Sequence, residues 1–151
     1  MYQFVIPLHH LNWSTRAILE GITNKYNPTR IFLITSNDEI EKIKSFLINW
    51  NVKNIELIDE DNFFVDKYGL SKENIFNKID NNKPNYSPGW LYQQIIKLGS
   101  PDVIKELSDT FVVWDSDLLP VNSWPLVDNG KEMFALLQDN SSGNPEIINL
   151  W

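Results

Sequence analysis

Cysteine is absent from this 151-residue sequence, which excludes disulfide bonds and thiol chemistry. Basic side chains are also scarce: 13 Lys and Arg stand against 20 Asp and Glu, so the formal net charge is −7. No cluster of Lys or Arg is present, which argues against nucleic-acid binding through phosphate contacts. An anionic ligand would therefore need a metal ion or backbone amides to offset the negative field of the protein.

Long apolar stretches are missing as well. No run is long enough to span a bilayer, and residues 1–10 lack the basic start and apolar region of a signal peptide. Cytoplasmic residence is therefore the expectation. The hydrophobic content of 42% and the aromatic content of 13% are typical of a globular chain. The length predicts a single domain over residues 1–151 with a substantial core.

The first part of the chain alternates between strand-like and helix-like patterns. Apolar runs predict strands around Val5, Phe32 and Leu57, and apolar residues recur at helical spacing between them. Ser36 and Glu39 have the spacing of a capping box at the start of the second helix. A short β-α-β-α-β succession predicts an α/β fold with a mostly parallel sheet and right-handed crossovers.

A fourth strand is predicted just before a pair of carboxylates. The apolar run Phe111–Trp114 indicates a strand buried on both faces, and it leads directly into Asp115 and Asp117. Open α/β sheets bind ligands at the C-terminal ends of their strands. Neighbouring carboxylates repel each other and favour a divalent cation, and their oxygen ligands suit Mg²⁺ or Mn²⁺. The alternative is a polar turn in which one aspartate caps a turn or helix.

A helix with two faces is predicted from Pro88 to Leu98, with Ser87 as its N-cap and Gly99 at its end. One face is apolar and expected to be buried, and consists of Leu91, Ile95 and Leu98. The other face is polar and aromatic, and consists of Trp90, Gln93, Gln94 and Lys97. That face is either solvated surface or a pocket wall, where an ammonium neutralises a phosphate and amides bind hydroxyls. A separate short helix is expected from Ser100 through Leu107.

Three of these features together resemble nucleotide-sugar glycosyltransferases of the GT-A fold. They are the β-α-β-α-β start, the Gly-Trp-x-x-Gln-Gln-x-x-Lys helix of residues 89–97, and the Trp-Asp-Ser-Asp-Leu-x-Pro segment of residues 114–120. The nearest likeness is to a branch of poorly characterised bacterial and viral proteins. The resemblance implies a Rossmann-like three-layer sandwich, of which this chain would be the N-terminal, donor-binding half. The acceptor site and any catalytic base would belong to a later half that the sequence does not contain.

The resemblance also implies a function. It is the metal-dependent transfer of a sugar from a nucleotide diphosphate donor to a carbohydrate or glycoconjugate acceptor. Asp117 would hold Mn²⁺ or Mg²⁺, and Asp115 would contact the ribose or sugar of the donor, or the water shell of the metal. The remaining donor-binding residues would be Pro7, Leu8, His9, Trp90, Gln93, Gln94 and Lys97.

Two other classes of protein stay open on the sequence alone. The segment Val113–Leu118 is also similar to the hydrophobic-Asp-x-Asp opening of haloacid-dehalogenase-type phosphatases, in which the first Asp is a nucleophile and the second a general acid. That motif normally ends the first strand of its fold, and a Gly-Thr pair usually follows it, whereas this sequence has Leu118 and Leu119. The other class is a non-catalytic nucleotide-binding or assembly module.

Overall fold

The computed structural model of the protein describes residues 2–79, 87–123 and 125–133. Within these ranges the strands are β1 (Gln3–Pro7), β2 (Arg30–Thr35), β3 (Ile55–Asp59), β4 (Val112–Val113), β5 (Val127–Asp128) and β6 (Lys131–Glu132). The helices are α1 (Thr15–Tyr26), α2 (Asn37–Leu47), α3 (Val65–Tyr68), α4 (Lys72–Phe76) and α5 (Pro88–Val103). The apolar run of residues 133–137 also predicts a strand, but it lies outside the described residues from position 134 onward.

The first four strands form one parallel sheet in the order β3-β2-β1-β4. Val5 of β1 lies opposite Phe32 of β2 on one side and Val113 of β4 on the other. Leu33 of β2 lies opposite Leu57 of β3. The predicted parallel sheet is therefore confirmed. The strand order reverses between β1 and β4, because the chain extends the sheet to β3 and then returns to the free side of β1.

Helices cover both faces of this sheet. On one face, α1 and α2 pack against Phe4, Ile6 and Leu33. On the other, α4 and α5 pack against Val5 and Ile34. Neighbouring positions of β1 thus enter different cores, as in a parallel sheet that is buried on both sides. The predicted α/β class is confirmed, and the layering is compatible with a Rossmann-like fold. Among the described residues, no helix combines the length and apolar content needed to cross a membrane.

Strand β4 is shorter and more exposed than the sequence predicts. Only Val112 and Val113 are assigned to the strand, and Trp114 extends it by donating its backbone N–H to the carbonyl of Val5 at 3.0 Å. In the part of the chain that the structure describes, β4 is an edge strand, and Val113 is 42% exposed. The prediction of a strand buried on both faces is therefore wrong. Trp114 is buried, however, and its ring contacts that of Phe4.

Helix α5 does not end at Gly99, as predicted, but continues to Val103 with Pro101 inside it. No separate helix begins at Ser100. Gly99 serves packing rather than termination, because a Cβ at this position would lie 2.5 Å from the ring of Phe64. The close approach of the helix to that buried ring requires a residue without a side chain.

The buried face of α5 also differs from the prediction. Its buried residues are Tyr92, Ile96 and Ser100. In the face predicted to be buried, Ile95 is 36% exposed and Leu98 is 83% exposed. The true face is offset by one residue, which corresponds to a rotation of about 100° around the helix axis. Tyr92 decides this rotation, since its hydroxyl donates to the carbonyl of Glu60 at 2.5 Å.

Candidate functional site

The parallel strands bring the loops that follow β1, β2, β3 and β4 to one edge of the sheet, which is formed by the C-terminal ends of these strands. Leu8, just after β1, donates its backbone N–H to the carbonyl of Ile34 at 2.8 Å, and Glu60, just after β3, donates to Thr35 at 2.8 Å. The loop after β4 begins at Trp114, beside Val5. The strand-order reversal between β1 and β4 lies at this edge, where α/β sheets open a ligand-binding crevice. A parallel order of these strands predicts that the segments after Pro7, Thr35, Asp59 and Trp114 lie together, and this prediction is confirmed.

A tight turn presents the two carboxylates. Leu118 donates its backbone N–H to the carbonyl of Asp115 at 3.1 Å, and the indole N–H of Trp114 donates to the carbonyl of Leu118 at 2.7 Å. Farther along, the ring of Pro120 packs so close to Gly21 of α1 that a Cβ there would lie 2.9 Å from Pro120 Cγ. The turn is thus held from both ends by residues that carry no charge.

Lys97 of α5 reaches the first of these carboxylates. Its Nζ lies 2.5 Å from Asp115 Oδ1. The lysine side chain is 17% exposed and the aspartate side chain 60% exposed. Of the two interpretations left open for the polar face of α5, the contact of Lys97 with Asp115 favours a surface that turns toward the aspartates. Two carboxylates and one ammonium leave this cluster with one net negative charge.

The other predicted residues of the polar face are spread along α5 toward its N-terminus. Gln93 and Gln94 are half-buried, and Trp90 is 47% exposed. Ser87 caps this end of the helix, since its hydroxyl accepts a hydrogen bond of 3.2 Å from the backbone N–H of Trp90. By helical spacing Trp90, Gln93 and Gln94 share a face with Lys97. Together they form a surface that runs from the Lys97–Asp115 ion pair toward the N-terminus of α5.

The loop after β1 is only partly open to a ligand. Pro7 and Leu8, both predicted donor contacts, are buried in the core, and Leu8 is 1% exposed. His9 is exposed, and its ring lies against that of His10 with the centroids 3.8 Å apart and the ring planes tilted by 37°. Of the three loop residues predicted to line the donor site, His9 is therefore the one that presents its side chain at the surface.

The carboxylates suit a cation that a substrate helps to bind. Asp117 is exposed, and within residues 2–79, 87–123 and 125–133 it has no hydrogen-bond or ion-pair partner. The same ranges contain no group of three or more His, Asp or Glu side chains arranged to hold a metal. Mg²⁺ sites commonly use one or two carboxylates and complete their shell with water and substrate phosphates. Asp117, with Asp115 beside it, fits such a site.

One functional element that the sequence analysis missed is the buried carboxylate of Glu39. It accepts hydrogen bonds from the backbone N–H of Leu11 at 3.0 Å and from Lys42 Nζ at 2.8 Å. These two bonds, that of Lys42 above all, hold the pKa of Glu39 below its usual range. The predicted capping box is wrong, since Ser36 makes no side-chain cap and Glu39 turns to the loop after β1 instead. Glu39 therefore fastens that loop to α2.

A second missed element fastens the loop after β3. Glu60 is 4% exposed and pairs with Lys72 Nζ at 2.5 Å. Lys72 lies 5.8 Å from the ring centroid of Phe76 and 5.7 Å from that of Tyr92. Burial is the largest single influence and opposes the charged form of Lys72, but the interactions with Glu60 and Asp61 together outweigh it and raise the pKa of Lys72. Burial, and secondarily the charge of Glu60, raises the pKa of the Tyr92 phenol.

A groove of about 610 Å³ lies elsewhere, between edge strand β3 and the end of α5. Its walls include Glu56, Ile58, Asp102 and Ile104. None of the predicted donor or metal residues lines it. This groove and the carboxylate pair are therefore separate features.

Comparison with protein families adds one result. A model of a family of unknown function, DUF6492, matches residues 17–141, which include Lys97, Asp115 and Asp117. The match spans most of the chain, and the chain belongs to this family. No curated protein and no solved structure matches it.

Proposed function

We propose that this chain is the donor-binding portion of a metal-dependent glycosyltransferase with a GT-A-like fold. The observation that supports it best is the exposed turn with Asp115 and Asp117 at the strand-order reversal, with Lys97 bonded to Asp115. In α/β sheets the ligand crevice lies at this topological position. The donor would be a nucleotide diphosphate sugar, and the acceptor a carbohydrate or glycoconjugate.

The charge of the site supports a donor that carries phosphates only when a cation is present. The protein has a formal net charge of −7, and the cluster of Asp115, Asp117 and Lys97 is itself net negative. A diphosphate alone would therefore be repelled. A divalent cation held by Asp117 reverses the sign of the cluster and makes it attractive.

Each residue then has a role that its position allows. Asp117 would ligate Mn²⁺ or Mg²⁺, and Asp115 would join it at the cation, directly or through a metal-bound water, or contact the donor sugar or ribose. Lys97 would contact a phosphate, and His9 borders the same edge of the sheet. When bound, the cation would act as a Lewis acid that stabilises negative charge on the departing nucleoside diphosphate.

The three exposed or half-buried residues of α5 beyond Lys97 extend this surface. Gln93 and Gln94 offer both donors and acceptors to sugar or ribose hydroxyls. Trp90 offers an aromatic face on which an apolar ring surface can stack. Because these residues lie along one helix face, they would contact a ligand that extends beyond the diphosphate.

Calorimetric titration with UDP, GDP and CDP, each with and without Mn²⁺, tests the proposal. We expect at least one nucleotide to bind only in the presence of Mn²⁺. Asp117→Asn should abolish that binding because the cation loses its unpaired charged ligand. Asp109→Asn is the matched control: it removes the same charge from an exposed position just before β4, on the side of the sheet where the strands begin, and should bind like the parent.

The same titration separates the other candidate classes. Nucleotide binding that is equal with and without Mn²⁺ would favour a binding or assembly module. A chain trapped by beryllofluoride but indifferent to nucleotides would favour a phosphatase in which Asp115 is the nucleophile. Full Mn²⁺-dependent affinity in Asp117→Asn would show that this carboxylate is not the metal ligand.

A further inference from the structure

We propose that Lys97 is a built-in counter-ion that occupies Asp115 until a divalent cation binds, and is then released to the donor diphosphate. The nucleotide would consequently bind after the cation and never before it. This inference rests on the proposed function and adds an order of binding to it. It assigns to one lysine two successive partners at the same site.

The geometry of the ion pair supports the first partner. Lys97 Nζ lies 2.5 Å from Asp115 Oδ1, and the lysine is the less exposed of the two, at 17% against 60% for the aspartate. An ammonium in that position neutralises the carboxylate that would otherwise share a cation with Asp117. A cation that uses both aspartates must therefore compete with Lys97.

The anchoring of α5 supports the second partner. The helix is held in place by the contact of Gly99 with Phe64 and by the hydrogen bond from Tyr92 to the carbonyl of Glu60. The backbone of Lys97 is therefore fixed beside the loop after β4. Its flexible four-carbon stem still lets the ammonium move from a carboxylate to a nearby phosphate. Among the described residues, Asp115 is the one carboxylate with which Lys97 forms an ion pair.

The charges make the order of binding strict. Before the cation binds, a diphosphate meets the unpaired Asp117 and a lysine that is already neutralised. After it binds, the aspartates are compensated and the ammonium of Lys97 is free. The cation thus favours the nucleotide through its own charge and through the charge of the lysine that it displaces.

Replacing the lysine should move the two affinities in opposite directions. In Lys97→Met, we expect the affinity for Mn²⁺ alone to rise about threefold to fivefold, because an exposed ion pair of this kind no longer competes. The affinity for the nucleoside diphosphate that the parent binds best, measured at saturating Mn²⁺, should fall about tenfold or more. Lys97→Arg should restore much of the nucleotide affinity. The control Lys105→Met removes the same charge from an exposed position after α5 and should change neither value.

A second pair of variants separates the ion pair from general charge repulsion. In an Asp115→Asn background, Lys97→Met should no longer raise the Mn²⁺ affinity, because no pair remains to be broken. A gain that persists there, or a loss of both affinities in Lys97→Met, would overturn the exchange. If the parent binds nucleotide with Mn²⁺ but the opposite shifts are missing, the exchange is wrong and the proposed function stands. If the parent binds no nucleoside diphosphate with Mn²⁺, both are wrong.

Discussion

The carboxylate of Glu39, in the first turn of α2, accepts a hydrogen bond of 3.0 Å from the backbone N–H of Leu11 in the loop after β1. This bond joins the loop after β1 to helix α2, at the end of the sheet that carries Asp115 and Asp117. Glu39 is only 7% exposed, and its negative charge is compensated by the hydrogen bonds from this amide and from Lys42. The conformation of the His9 loop therefore depends on a residue far from it in the sequence.

Glu39→Ala should lower the free energy of unfolding by about 1–3 kcal/mol, since the mutation leaves a partly buried amide without an acceptor. Urea denaturation measures the change. Glu41→Ala is the control: Glu41 also pairs with a lysine, Lys44, but its side chain is 74% exposed, so its loss should cost less than about 0.5 kcal/mol. Equal effects of the two substitutions would contradict a special role for Glu39.

The contribution of Glu39 to stability should also depend on pH. The pKa of Glu39 is lowered in the folded protein, chiefly by the hydrogen bond from Lys42 and then by that from Leu11. Its contribution is therefore complete above the unfolded pKa of about 4.3 and is lost as the pH falls through the lower, folded pKa. The stability difference between the parent and Glu39→Gln should shrink steadily between pH 5 and the acid limit of the folded state. A constant difference over that range would contradict the assignment.

Gly99→Ala should destabilise the protein, although alanine favours a helix more than glycine does. The added Cβ would lie 2.5 Å from Phe64, a buried ring, and overpacking of this kind costs about 1–3 kcal/mol. Gly89→Ala is a matched control in the first turn of the same helix, where nothing lies within 4 Å, and it should be neutral or slightly stabilising. Thermal melts of both variants give the comparison. A reduced cost in the double variant Gly99→Ala, Phe64→Leu would identify the ring as the cause.

The parts of the fold that were predicted correctly depend on local patterns. The apolar runs around Val5, Phe32 and Leu57, together with the known topology of β-α-β units, suffice for the parallel sheet and for the edge at which the aspartates lie. Helical spacing suffices to place Lys97 on the same helix face as Trp90, Gln93 and Gln94. A turn with Asn129 and Gly130, both with positive φ, joins β5 to β6, and this Asn-Gly pair is a hairpin signal that the sequence analysis missed.

The parts that were predicted wrongly depend on contacts between distant residues. Leu98 is as apolar as Ile96, so composition alone does not decide which of them is buried. The deciding contacts are those of Tyr92 with Glu60 and of Gly99 with Phe64, each more than 30 positions apart. The capping box failed for the same reason, because Leu11 competes for the Glu39 carboxylate from 28 residues away.

The two aspartates of the turn should respond differently to neutralisation when no metal is present. Asp115→Asn removes the ion pair with Lys97 and should lower the free energy of unfolding by about 0.2–1 kcal/mol, the range of partly exposed pairs. Asp117→Asn removes a carboxylate that has no partner in the described part of the chain and that follows Asp115 by two positions in the same turn. Its stability should therefore be unchanged or slightly raised.

A double-mutant cycle over Lys97 and Asp115, measured by urea denaturation in EDTA, isolates the pair energy from other effects of each substitution. We expect a favourable coupling between these two residues and none between Lys97 and Asp109, which precedes β4 at the N-terminal end of the strand. Added salt should weaken the coupling, since both side chains are accessible to ions to some degree. A coupling of zero at low salt, or an equal loss of stability in Asp115→Asn and Asp117→Asn, would mean that Lys97 does not distinguish between the two carboxylates.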